Sequence, residues 1–219
     1  MRRGIIRYVD EAVPLCGRVL GTPWAKAQAI RVDRFPWYSK GRKQSTTVRT
    51  LYGADCLFLQ FRCRDRHSSA KVIDLNGPVC RDSCVEFFAT VRPERAPDYV
   101  NLEVNCCGTL HVGYGPDRHG RRLIGPAAAG EITVATSVSG PVKEESPADR
   151  SWWVAVRLPF TVIESLSGET VRPRAGDRWR GNFYRCGGRT DDQYACWNPV
   201  VSPAPDYHRP ECFGELHFV

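Results

Sequence analysis

Apolar and polar positions alternate along much of this chain, and helical periodicity is scarce. Over residues 56–64, Leu57, Leu59, Phe61 and Cys63 point one way while Phe58, Gln60 and Arg62 point the other. With the run Thr46 to Tyr52 and the turn Gly53-Ala54-Asp55, this spacing predicts a β-hairpin with one buried face. Val85, Phe87, Ala89 and Val91 make an apolar face over 84–91, with Glu86 opposite, beside Cys84 and Phe88. Residues 99–106 put Leu102 and Val104 on one side and Asn101, Glu103 and Asn105 on the other. Further strands are expected at 108–114, 131–138, 152–158 and 213–218. In the run from Trp179 to Arg185, Asn182 and Tyr184 share one face and Phe183 and Arg185 the other. The chain then turns at Gly187-Gly188 and returns over 194–197. Helical signal is confined to a turn or two over 24–29 and another over 161–165, after Pro159. Short strands separated by Gly, Pro, Asp and Asn predict an all-β fold. The expectation is a single antiparallel β-sandwich, jelly-roll-like, with few short helices, forming one domain over residues 1–219.

Composition narrows the function classes. The chain is 42% hydrophobic and 25% charged and has no apolar run near the roughly 18 residues of a membrane helix. Net charge is +7, but the 31 Lys and Arg are spread among 24 carboxylates, and no nucleic-acid motif accompanies them. A solvated basic surface is the expectation, with no nucleic-acid partner and no membrane. The ten cysteines fit no zinc-ligand spacing and read as buried thiols. Only Ile5-Ile6 separates the basic start from Arg7, too short for a secretory apolar stretch, so the chain as written is expected to be cytoplasmic.

The chain has no G-x-S-x-G, no H-E-x-x-H and no glycine-rich phosphate loop. Glu86 with Glu103 is the one pair of carboxylates that a glycoside hydrolase reading could use as acid and base. Asp65, Asp74 and Asp82 lie in or beside one loop and could offer oxygen ligands to Ca²⁺, or simply form turns. The polar face of Asn101, Glu103 and Asn105, joined by Glu86, either meets solvent or lines a concave sheet face that holds a polar ligand. The terminal stretch is dense in Trp, Tyr, His and Arg and stiffened by prolines. It carries Trp197 and the knot Tyr207-His208-Arg209-Pro210-Glu211. These residues either form a preformed polar and aromatic surface or plug the end of the sandwich, with Arg209 and Glu211 paired at its surface.

Several of these segments, taken in order, resemble the family 9 carbohydrate-binding modules. The resemblance rests on Trp24 after Gly21-Thr22-Pro23, Thr47-Val48-Arg49 with the 57–61 hairpin strand, and Arg81 to Phe88. It continues through Asn101 to Gly108, the 152–160 strand ending Leu-Pro-Phe, Arg180 to Arg185, and His208 to Leu216. It implies a non-catalytic sugar-binding β-sandwich of the DOMON type, accessory to carbohydrate catabolism and usually working outside the cell. It implies a carbohydrate ligand held by Glu86, Glu103, Asn105 and Asn182, with Arg185, Trp197, His208 and Arg209 at the rim. The family's two sugar-clamping tryptophans fall near Cys80 and at His208, and Ca²⁺ is bound by some relatives. The alternative reading is a sandwich that has lost its sugar and acts through protein contacts.

Overall fold

The computed structural model describes residues 1–39 and 41–219. Its strands are β1 (Arg3–Tyr8), β2 (Ile30–Val32), β3 (Thr46–Tyr52), β4 (Cys56–Arg64), β5 (Cys84–Thr90), β6 (Tyr99–Asn105) and β7 (Leu110–Gly115). The others are β8 (Arg122–Leu123), β9 (Thr133–Thr136), β10 (Ser151–Pro159), β11 (Arg178–Cys186), β12 (Tyr194–Cys196) and β13 (Gly214–Phe218). They follow one hydrogen-bonded path, β8-β7-β6-β5-β11-β13-β1-β3-β4-β10-β9, with β12 added to β11 and β2 to β3. The all-β class is as expected, but the sheet is mixed. β1 pairs in parallel with β13 through Arg3 to Ile6 and in parallel with β3 through Arg7 and Tyr8. It is the hinge at which the path curls into two leaves, a strand that serves both sheets of a sandwich.

The alternating residues decide what lies between the leaves. Val85, Phe87, Leu102, Val104 and Phe183 face Leu57, Leu59, Phe61, Val154 and Val156 in one buried cluster. Phe61 meets Phe183 edge-on with centroids 6.3 Å apart, and Phe87 stacks on Phe183 at 5.3 Å. Each such ring contributes about 1.5–3 kcal/mol relative to leaving it in water. Two short helices, α1 (Pro126–Ala129) and α2 (Phe160–Ser167), cap one end. α2 begins where Pro159 stops β10 and ends at Gly168, whose φ of 75° is the left-handed conformation glycine takes most cheaply. The helix expected near Trp24 is a single 3₁₀ turn, Pro23–Lys26, pinned by Trp24 Nε1 donating to the Pro14 carbonyl at 2.8 Å. The strand expected over 131–138 is shorter, since Glu131 and Ile132 are turned by the end of α1.

The outer faces of the two leaves differ. On the leaf of β3, β4 and β10, the N-terminal segment covers one half. Gln60 Nε2 donates to the carbonyls of Cys16 and Arg18 at 2.7 and 3.2 Å, and Leu51 packs with Trp24. On the leaf of β5, β6, β7 and β11, the outer face is roofed by loops that leave a cleft.

Candidate functional site

Four strands supply the floor of this cleft, and their register lines up the side chains that matter. Tyr184 of β11 lies opposite Glu86 of β5, Glu86 opposite Glu103 of β6, and Glu103 opposite His111 of β7. Directly opposed side chains have Cβ atoms about 4.5–5.5 Å apart, so a row of ionisable groups crosses the sheet. Glu86, Glu103 and His111 are 2%, 4% and 8% exposed, too enclosed to be ordinary surface charges. Above them Cys80, Arg118, Arg121, Tyr194, Asp206 and His208 wall a cavity of about 370 Å³. The loop 116–121 carries the arginines, and the terminal stretch brings Asp206 and His208.

Electrostatics along the row are uneven. Burial raises the pKa of both carboxyl groups, and the Glu103 carboxylate further disfavours charge on Glu86. Glu103 has compensation: Asn101 Nδ2 donates to its Oε1 at 3.0 Å and Arg121 Nη1 stands 3.6 Å from the same oxygen. Among the described residues Glu86 receives only the Cys186 thiol, at 3.2 Å, and its pKa is held well above the ordinary carboxylate range. Charge is therefore disfavoured more strongly on Glu86 than on Glu103, whose carboxylate Asn101 and Arg121 support. His208 is neutral: burial, then Arg121 and Arg118, push its pKa down to about 3. Arg121 Nη1 donates to His208 Nε2 at 3.3 Å, so the ring proton sits on Nδ1 and is donated to Tyr99 Oη at 2.7 Å. His111 donates from Nδ1 to the Asn76 carbonyl at 2.9 Å, which leaves Nε2 buried in the cleft without a partner among the described residues.

The eight residues expected at the site part company here. Glu86, Glu103 and His208 line the cleft, and Arg209 stands just outside it, ion-paired to Asp206 at 2.8 Å. Four lie elsewhere, each committed to holding the fold. Asn105 Nδ2 donates to Asp82 Oδ2 and to the Val72 carbonyl, both at 2.9 Å. Asn182 exchanges hydrogen bonds with the Asn198 backbone at 3.0 and 2.8 Å. Trp197 is buried against Phe183 with centroids 5.6 Å apart, part of the plug that closes the core. Arg185 points between the leaves and pairs with Asp65 at 2.7 Å, both almost fully buried. The three aspartates weighed for Ca²⁺ do not converge. Asp65 is taken by Arg185 and Trp152, Asp82 by the Lys71 and Val72 amides and Asn105, and Asp74 is exposed. Among the described residues no group of three His, Cys, Asp or Glu is placed to hold a metal.

Residues that sequence reasoning passed over are His111, Arg118, Arg121, Tyr194 and Asp206. His111 had a usable signal, since alternation in its strand opposes it to Leu110 and Val112. The arginines sat in a glycine-rich excursion with no period to place them.

The model of carbohydrate-binding family 9 matches residues 21–218. The chain belongs to carbohydrate-binding family 9. Its family is one of non-catalytic carbohydrate-binding modules, and three solved structures share the fold over nearly the whole chain. A putative carbohydrate-binding protein from Bacteroides uniformis superposes with a TM-score of 0.83 at 23% identity, covering 100% of this chain and 99% of its own. A family 9 module from Caldicellulosiruptor kristjanssonii in complex with glucose gives 0.65 at 13% identity, covering 100% and 96%. The module from that organism in complex with cellotriose gives 0.63 at 13%, covering 99% and 93%. Among curated proteins no relative matches. As a family 9 module the chain needs no hydrolytic pair. Glu86 and Glu103 stand side by side on the cleft floor, where β5 and β6 set them directly opposite each other.

Proposed function

We propose that this family 9 module binds the terminus of a carbohydrate in the cleft over β5, β6 and β7, as an accessory to the breakdown of glycans. The observation that carries the reading is the buried row of Glu86, Glu103 and His111. Its unpartnered His111 Nε2 is a buried polar atom open to a hydroxyl partner. A sugar hydroxyl can donate to Glu103 and accept from Arg121, and can pair with His111 Nε2 and with Glu86. Vicinal hydroxyls match side chains spaced one strand apart. The volume, at the small end of ligand pockets, suits a terminal unit better than a long chain segment. Similar modules holding glucose and cellotriose make a neutral glucose-type unit the first ligand to try. By resemblance, the two tryptophans with which the family clamps sugar fall near Cys80 and at His208, residues that both stand on the cleft wall. Stacking is left to His208 and the half-buried Tyr194, so affinity falls in the micromolar to millimolar range.

The test is a glycan array followed by calorimetry on the strongest hit, with Glu103→Gln and His111→Ala compared to the parent. The expected outcome is a loss of tenfold or more in affinity for each, about 1.4 kcal/mol, with no change on adding EDTA. Silence of the folded parent across the array, or affinity indifferent to both substitutions, would overturn the proposal.

A further inference from the structure

The net charge of the chain is not spread as evenly as the sequence suggests. The N-terminal segment covers only half of the outer face of β2, β3, β4 and β10, and the bare half is paved with arginine. β2 contributes Arg31, β3 contributes Arg49, and β4 contributes Arg62 and Arg64, all on the outward side of the alternation. Register places Arg31 and Arg62 on either side of Thr47, and Arg49 opposite Gln60, diagonal to Arg62. Diagonal neighbours lie about 7–8 Å apart, and Arg62 and Arg64, two residues apart on one strand, about 7 Å.

One groove of about 520 Å³ runs over this face, and a second of about 800 Å³ continues from it past Ser45 and Arg64 to the edge of the leaf, where Thr190 and Asp191 of the β11–β12 connection join its wall. The second extends the basic lining through Arg42, Lys43, Arg66 and Arg150. Their walls hold one carboxylate among the described residues, Asp191, which already accepts from Tyr38 Oη at 2.7 Å and Gln44 Nε2 at 3.0 Å. No ion pair of the described residues uses Arg31, Arg42, Arg49, Arg62, Arg64 or Arg66. Arg49 is half-buried, and its pKa is lowered first by that burial and then by Arg62. A protein that buries half a guanidinium beside another cation, with carboxylates plentiful elsewhere, leaves a demand for external anions.

We propose that this arginine face is a second binding site, for an anionic glycan that carries carboxylate or sulfate groups at intervals along its chain. Guanidinium forks match both groups in bidentate geometry, and the joined grooves suit an extended polymer. The half-buried Trp153, packed against Gly17, offers no open platform for stacking nucleic-acid bases, and the family of the chain favours a glycan. This face lies on the opposite leaf from the cleft and does not depend on it.

The experiment measures binding of polygalacturonate, dextran sulfate and uncharged dextran to the full chain, and to R62Q/R64Q and R49Q/R62Q/R64Q variants checked for unchanged melting. The expected result is tenfold or greater loss of polygalacturonate affinity in the triple variant and a smaller loss in the double variant. The parent should also weaken by tenfold or more between about 50 and 200 mM salt. Binding of cellotriose in the cleft should stay unchanged in both variants. Binding to both charged polymers supports the shared chemistry, and preference for one names the group. Equal affinity of parent and variants would overturn the proposal, as would tighter binding of the parent to single-stranded DNA or to anionic phosphatidylserine vesicles than to either polymer.

Discussion

Glu86 is the residue whose environment differs most from that of a free carboxyl group. Burial and the neighbouring Glu103 carboxylate raise its folded pKa well above the unfolded value near 4.5. Between those two values the folded state binds more protons than the unfolded one, so raising the pH through this window costs stability. The contribution is present below pH about 4.5 and is lost as pH climbs toward the folded pKa. Glutamine keeps the shape and hydrogen bonds of the protonated side chain and cannot ionise. Glu86→Gln is therefore expected to raise the melting temperature at pH 8 and to change it little at pH 5. A melting curve series from pH 5 to 9 checks this, and an equal shift at both ends would mean the carboxyl is not buried against its neighbour. His208 works in the opposite sense: its pKa, lowered to about 3 by burial and the two arginines, makes the folded state resist protonation. Its share of stability is complete above about pH 6.5 and erodes below it, so the two groups together favour a narrow window of mildly acidic to neutral pH.

At the scale of elements, Arg185 is a clasp between the leaves. It leaves β11, pairs with Asp65 at the end of β4, and spreads its guanidinium 5.2 Å over the Trp152 ring of β10. Trp152 Nε1 in turn donates to Asp65 at 2.6 Å. Removing one partner of such a buried pair strands the other charge, at a cost of about 3–5 kcal/mol. Arg185→Met should lower the unfolding free energy by that order in urea, and Arg185→Met with Asp65→Leu should recover much of it. A double variant as unstable as the single one would mean the stranded charge is not the cause. This clasp also marks where a single sequence stops informing. Alternation alone put Arg185 on the inner face with Phe183, and the hairpin, the apolar faces of β5 and β6 and the helix after Pro159 were legible in the same way. Its charge nonetheless argued for a rim position, because the Asp65 partner lies more than a hundred residues away and only the fold brings it near. β1 was missed for a related reason: six residues, Arg3 to Tyr8, with only Ile5-Ile6 as an aliphatic pair, gain strand character by pairing in parallel with both β13 and β3. Glu86, Glu103 and His208 could be nominated, since alternation and motif order placed them. Asn105, Asn182 and Trp197 could not be separated from them, because hydrogen bonding to the cleft roof and stacking in the core use the same residue types as sugar binding.

On the scale of the whole molecule, the ten cysteines report on which surfaces are open. All are free thiols, and Cys56, Cys63, Cys84, Cys106, Cys186 and Cys196 are buried. Burial pushes the pKa of Cys63 up to about 11 and that of Cys196 up to about 12, so neither presents a thiolate at neutral pH. Alkylation of the native protein should therefore leave these six unmodified until the fold opens. Cys16, Cys107 and Cys212 are partly accessible but stand outside the cleft, whereas Cys80 is exposed on the cleft wall. The cleft walls, then Glu86 and Glu103, push the pKa of Cys80 up to about 12. A sugar occupying the cleft covers Cys80 and none of the other three. Alkylation followed by peptide mass spectrometry should then show a saturating ligand slowing Cys80 at least severalfold while Cys16, Cys107 and Cys212 keep their rates. An anionic polymer on the arginine face should leave the rates of Cys80, Cys107 and Cys212 unchanged, whereas Cys16 lies beside that face, next to Gln60. Protection of Cys80 by polygalacturonate would place both ligands in one site and remove the case for two binding surfaces on opposite leaves.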